Sequence, residues 1–180
     1  MFQNLKNRSG LSPERQHGNK VFIGKSVAVI LCPAPNGKLF GVLVDKESLP
    51  TLQGYFWRVR LDGKRVYAVG SRTLKMHRVL LPNPRQIDHI NQRGTDNRRS
   101  NIRAVSSRQN ALNRPGHSKT GFKGVVRTSS GRFAARVYDG PKPILLGTYD
   151  TAEQAARVVD AKAKEIHGEF AFLNFPGVNL

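Results

Sequence analysis

Residues 76–114 read MHRVLLPNPRQIDHINQRGTDNRRSNIRAVSSRQNALNR. With the two residues before it, the stretch Leu74 to Leu81 can form a strand, which Pro82 and Pro84 end because proline cannot donate to a ladder. Ile87 to Ile90 is a short extended piece, Asn91 to Ser100 a polar loop, and Ile102 to Val105 a second short strand. Ser106 and Gln109 have the spacing of a capping box, so a helix opens near Ser106, and Arg114-Pro115-Gly116 stops it. The order is strand, loop, strand, helix.

That segment holds the residue types that phosphodiester hydrolysis needs: a base to activate water and hard ligands for a cation. His89 is a suitable base. Asp88 and a carboxamide oxygen suit Mg²⁺ or Mn²⁺, which take few protein ligands and keep water. Asn110 lies near the start of the helix, where a strand–strand–helix unit can fold it back towards Asp88. Neighbours in a regular strand point to opposite faces, so Asp88 and His89 serve one site only if the strand ends or bulges there. Read by themselves, an Asp-His pair and a set of loop asparagines also fit a purely structural role.

Working outward, residues 1–20 are polar and without periodicity, the pattern of a flexible basic arm. Residues 21–71 are β-rich: Val27 to Leu31, Leu39 to Val44, Phe56 to Leu61 and Arg65 to Val69, with a hairpin turn at Asp62-Gly63. Tyr55, Phe56 and Trp57 are expected as core aromatics rather than base-stacking ones. On the other side, 115–120 is a linker. Then come three strand candidates, Phe122 to Arg127, Arg132 to Asp139 and Ile144 to Tyr149. In the second, Phe133, Ala135 and Val137 alternate with Arg132, Ala134, Arg136 and Tyr138, one face apolar and the other basic. A helix from about Thr151 to His167, capped by Asp150 with Glu153, carries a stripe of Ala152, Ala155, Ala156, Val159, Ala163 and Ile166.

The charge follows this division. The whole chain of 180 residues carries a formal +18; residues 1–71 hold +7, 72–118 hold +8 and 119–180 hold +3. The middle part is the most basic per residue and has two acids, Asp88 and Asp96. Such an excess points to a polyanion, because Lys and Arg release counterions from phosphates. The lone cysteine, Cys32, excludes a disulfide framework and a zinc site on paired cysteines. The apolar run Val27 to Cys32 is six residues, too short for a membrane span or a secretion signal. No membrane partner and a cytoplasmic location, that of the host cell if the chain is phage-encoded, are therefore expected.

The quoted stretch resembles the HNH endonucleases, free-standing phage and intron-encoded nucleases, in His77-Arg78, Asp88-His89-Ile90-Asn91, Asp96-Asn97-Arg98-Arg99, Asn101-Ile102-Arg103 and Gln109-Asn110. The resemblance implies a ββα-metal fold and a single-metal mechanism. It implies His89 as general base, Asp88 and Asn110 as metal ligands, and Asn101 as the residue that orients His89 or braces the loop. Asn110 stands where the family name has its third histidine. His77 matches the first histidine, as structural support ahead of a phosphate contact. Arg98, Arg99 and Arg103 are expected to hold phosphates.

Residues 120–176 resemble the ethylene-response-factor (Apetala-type) DNA-binding domain in Lys123-Gly124-Val125, Gly131-Arg132-Phe133, Leu146-Gly147-Thr148-Tyr149, Asp150 to Ala156 and Leu173-Asn174-Phe175. That family lays a three-stranded sheet in the major groove with a helix behind it. Lys123, Gly124 and Arg132 carry over as expected DNA contacts, and strand alternation adds Arg127 and Arg136. Val126, Thr128, Ser130 and Leu145 depart from the plant pattern, so the plant target sequence does not carry over.

The expected architecture is α+β. A β-rich N-terminal part (21–71) is followed by a central HNH ββα-metal motif (72–114) and a C-terminal three-stranded antiparallel sheet packed on one helix (121–176). The expected function is a divalent-metal-dependent endonuclease on double-stranded DNA, with Mg²⁺ ahead of Mn²⁺ and a monomer favoured. Homing is a role the family implies. The rivals are a sequence-specific DNA-binding regulator with an inactive HNH-like unit, and a structural or RNA-binding basic protein.

Overall fold

The computed structural model describes residues 12–16, 18–63, 65–71, 74–116 and 118–177, with side chains from residue 18 onward. The chain is α+β, with small antiparallel sheets, and divides into two compact units, residues 1–106 and 107–180.

In the first unit β1 (Ser12–Gln16), β2 (Asn19–Ile23), β3 (Val27–Pro33) and β4 (Leu39–Asp45) form an antiparallel meander in chain order. Residues 1–11 of the expected arm lie outside the described residues; residues 12–16 and 19–20 are strand, paired Ser12 to Ile23 through Gln16 to Asn19. The alternation in β3 buries Ala28, Ile30 and Cys32, and register sets Ala28 opposite Val44 and Ile30 opposite Val42. A 3-10 turn (Lys46–Ser48) and helix α1 (Leu49–Leu52), with Pro50 in its first turn, follow. The expected hairpin is present as β5 (Arg58–Asp62) and β6 (Arg65–Val69), with Gly63 at φ +56° in its turn.

Trp57 is fully enclosed and packs with Val21, Ile30, Val42, Val44, Leu52, Val59 and Met76. Buried Asn19 fastens the chain ahead of β5 to the meander. Its Nδ2 donates to Leu31 O (2.9 Å) and Trp57 O (2.8 Å), and its Oδ1 accepts from Trp57 N–H (2.8 Å). Phe56 is not a core residue: it is 51% exposed, because its neighbour Trp57 takes the inward position in this extended stretch.

The expected strand Leu74 to Leu81 is instead a helix, α2 (Met76–Leu80). Met76, Val79 and Leu80 face the core while Arg78 is exposed, a spacing of three and four that suits a helix better than an alternating strand. Strands β7 (Gln86–His89) and β8 (Ile102–Val105) pair antiparallel, Asp88 opposite Arg103 and His89 opposite Ile102.

The second unit starts with helix α3 (Ser107–Leu112). It continues with β9 (Val125–Arg127), β10 (Phe133–Tyr138), β11 (Pro143–Tyr149) and helix α4 (Ala152–His167). The sheet order is β11-β10-β9, with a bulge between Ala135 and Arg136. Helix α4 packs its small face, Ala155, Ala156 and Val159, on Val125 and Ala135. Its cap is Thr151 with Gln154, not Asp150 with Glu153. Thr151 is the extended residue, and the side chains of Thr151 and Gln154 each accept the other's backbone N–H at 3.2 Å.

Candidate functional site

The site of the first unit begins with a loop that side chains hold in shape. Asn101 Nδ2 donates to Asp96 O (2.7 Å), and its Oδ1 accepts from Asn91 N–H (3.0 Å). Asn91 Nδ2 donates to Asp96 Oδ2 (2.8 Å), and Arg98 grips the same carboxylate through Nε (2.8 Å) and Nη2 (2.7 Å). Asp96 is buried, which opposes its ionisation. The Arg98 guanidinium and the Asn91 amide outweigh that and hold its pKa below the ordinary carboxylate value. Asn101 thus braces the loop.

The loop is also stitched to the edge of the meander. Leu43 N–H donates to Thr95 O, and Asn97 N–H donates to Leu43 O, both at 2.8 Å; Asp45 Oδ2 accepts from Arg99 N–H at 2.7 Å. Gly94 lets the loop lie against β6, since a Cβ there would collide with Val66 O and sit 2.7 Å from the Tyr67 ring.

Strand β7 ends at His89, and its last two side chains serve different neighbours. The Asp88 carboxylate accepts from Arg103 Nη2 at 3.1 Å across the hairpin, with both side chains largely buried. The His89 ring stands edge-on to His77, centroids 5.1 Å apart, with Tyr67 at 6.2 Å from each ring. Asn97 Oδ1 lies 3.3 Å from His89 Nε2. Burial pushes the His89 pKa below its ordinary value, although Asn97, Asp88 and Asp96 pull the other way. Burial, with His89, Lys75 and Arg78 nearby, pushes His77 down to about 3. Both imidazoles are therefore neutral at pH 7, the form a base or a packed ring requires.

The structure gathers His77, Asp88, His89, Asn97 and Asn101 in the first unit, whereas Asn110 lies on α3 in the second. Of the expected phosphate-holding arginines, Arg98 and Arg103 are paired with Asp96 and Asp88, and Arg99 is exposed. Among the described residues no three His, Cys, Asp or Glu side chains gather as a metal site. Asn97 as the partner of His89, and Tyr67 beside it, are what the sequence reading missed.

In the second unit the expected contacts divide. Lys123 is turned inward: Nζ donates to Leu112 O (2.5 Å) and Arg114 O (2.8 Å), and burial pushes its pKa down to about 8. Gly124, at φ +80°, lies where a Cβ would sit 2.5 Å from Arg136 O and 2.7 Å from Val159 Cγ1, so it lets the chain pack on α4. Arg127 pairs with Phe133 and so shares the face of that inward ring, while Val126 pairs with Ala134 on the opposite face. Arg132 is exposed and donates to Asp150 Oδ1 (2.9 Å) and Thr148 O (3.1 Å). Arg136 remains on the outer face, its guanidinium 5.9 Å from the Tyr138 ring centroid.

Over 147 residues the chain is 29% identical to an uncharacterized HNH endonuclease of Acanthamoeba polyphaga mimivirus, covering 77% of this chain and 76% of that one. It is 44% identical over 63 residues to ethylene-responsive transcription factor 3 of Nicotiana tabacum, covering 34% of this chain and 28% of that one. It is 46% identical over 56 residues to dehydration-responsive element-binding protein 1G of Oryza sativa, covering 30% and 25%. The chain thus resembles both an HNH endonuclease and plant proteins of the ethylene-response-factor kind, and spans about a quarter of the length of the latter. No family model and no solved structure matches it.

Proposed function

We propose that the protein is a metal-dependent DNA endonuclease of the HNH type, with the second unit choosing where the first one cuts. The observation that carries this is the buried His89 imidazole, with Asn97 Oδ1 at its Nε2, next to the Asp88 carboxylate at the end of β7. His89 takes the proton of a water that attacks the scissile phosphorus, and the P–O3′ bond breaks. Asp88 offers a carboxylate and Asn110 a carboxamide oxygen, each a hard donor of the kind that Mg²⁺ or Mn²⁺ takes. When bound, the cation neutralises charge on the phosphate and on the leaving oxygen. Asn101 braces the loop that carries Asn97, and His77 packs behind His89. Exposed Arg99, with Arg98 and Arg103 where their carboxylates release them, meets backbone phosphates. The sheet face carrying Arg136 enters the major groove, and Arg132 contacts the backbone. One such site in a monomer gives a nick and two in a dimer a double-strand cut, and intron mobility is a use for either.

The test is nicking of supercoiled plasmid with Mg²⁺. Relaxed circles that EDTA abolishes are expected, with none from His89→Ala; full cleavage by His89→Ala would remove His89 from the mechanism. One observation favours a second reading, a DNA-binding regulator without catalysis: Asp88 is already neutralised by Arg103. That reading expects retarded duplex and no nick under any divalent metal.

A further inference from the structure

The outer face of the second unit's sheet places an apolar tip beside a cation. Leu145 is 74% exposed and Tyr138 46%, although both lie in strands. In the register of β10 and β11, Leu145 is directly opposite Arg136, and Tyr138 follows Arg136 two residues along the same face. Opposed residues in an antiparallel pair have Cβ atoms about 5 Å apart on one face. Among the described residues no carboxylate pairs with Arg136, in contrast with Arg132, which is held by Asp150. A lone exposed leucine is ordinary, but one fixed at the middle of a strand beside an uncompensated guanidinium has the two chemistries that base edges offer together. In the major groove, thymine presents the apolar 5-methyl group, and guanine presents O6 and N7, which a guanidinium reads as a pair.

We propose that this face selects a thymine within two base pairs of a guanine, with Leu145 packed on the thymine methyl and Arg136, held by Tyr138, on the guanine edge. The inference rests on the reading of this sheet as the DNA-reading face. Successive bases rise about 3.4 Å along a strand, so a Cβ separation of one cross-strand pair spans one to two steps.

The experiment uses the full chain in EDTA, so that nothing is cut. Bound duplexes are selected from a random pool, and the preferred site is then made with deoxyuridine in place of each thymine in turn. One position is expected to lose about four-fold in affinity, the worth of burying one methyl group. Leu145→Ala is expected to bind the thymine and uracil duplexes equally, with unchanged circular dichroism, since the side chain lies in solvent. Equal binding of the two duplexes by the wild-type chain, or a Leu145→Ala chain that still tells them apart, overturns this proposal alone. Failure to retard any duplex at low salt overturns the DNA-binding reading and this proposal with it.

Discussion

Gly124→Ala separates packing from DNA contact in the second unit. The residue sits at φ +80°, where an L side chain costs about 1–2 kcal/mol. The added methyl would lie 2.5 Å from Arg136 O, a backbone atom of the central strand, and 2.7 Å from Val159 Cγ1 on α4. Neither neighbour yields cheaply: Arg136 N–H is bonded to Gly124 O at 2.8 Å, and Val159 is buried in the core of the unit. Overpacking of this kind costs about 1–3 kcal/mol, giving roughly 2–5 kcal/mol in all. Gly121→Ala is the control. It has nearly the same φ, +82°, with nothing within 4 Å, so it bears the backbone cost of about 1–2 kcal/mol alone. The assay is urea unfolding followed at 222 nm, where the 16-residue helix α4 dominates, and by the fluorescence of Trp57, which lies in the first unit. Gly124→Ala is expected to shift the helical transition well beyond the control and to leave the Trp57 transition in place. A Gly124→Ala chain with an unchanged helical midpoint but no affinity for DNA would refute the packing argument and make Gly124 a contact with the duplex.

Three further outcomes are expected. Asn19→Ala should destabilise the first unit by about 2–4 kcal/mol, because it leaves Trp57 N–H and two carbonyl oxygens without their bonds; a Trp57 fluorescence midpoint within 0.5 kcal/mol of wild type would contradict this. Cys32 is buried and its thiol is pushed up to about 12, so alkylation by iodoacetamide at pH 8 should proceed at the rate of unfolding; fast labelling without urea would contradict its burial. His77, held down to about 3 against an unfolded value near 6.5, contributes stability that is complete above about pH 6.5 and is lost as pH falls from there towards 3. The urea-derived stability of the first unit should drop by up to about 2 kcal/mol between pH 6.5 and 5, and His77→Phe should flatten that slope; an identical slope in both chains would show that His77 is not the group taking up the proton.

The order of elements from β7 to α4 was legible because each piece carries a local signal. Ile102 to Val105 is bounded by polar residues, the Ser-Ser-Gly and Gly-Pro turns bracket β10, and the alanine stripe of α4 has helical spacing. The five residues of α2 were not, since over one turn and a half the mixed apolar and basic residues MHRVL fit a strand and a helix alike, and the packing of Met76, Val79 and Leu80 on the Trp57 core goes with the helix. The cap of α4 was ambiguous for the same reason: Asp150 with Glu153 and Thr151 with Gln154 have one spacing, and backbone conformation chose the second.

The Asp-His pair and its basic surroundings, and hence the likeness to a phosphate-cutting site, belong to the sequence alone, because side-chain chemistry and spacing are enough to state them. Partnership was the part that only the tertiary structure decided. Asn97 meets His89, Asn101 braces the loop, Arg103 neutralises Asp88, and Lys123 and Gly124 turn inward to hold the second unit together. Each of these depends on which segments pack side by side, and no local pattern of residues records that.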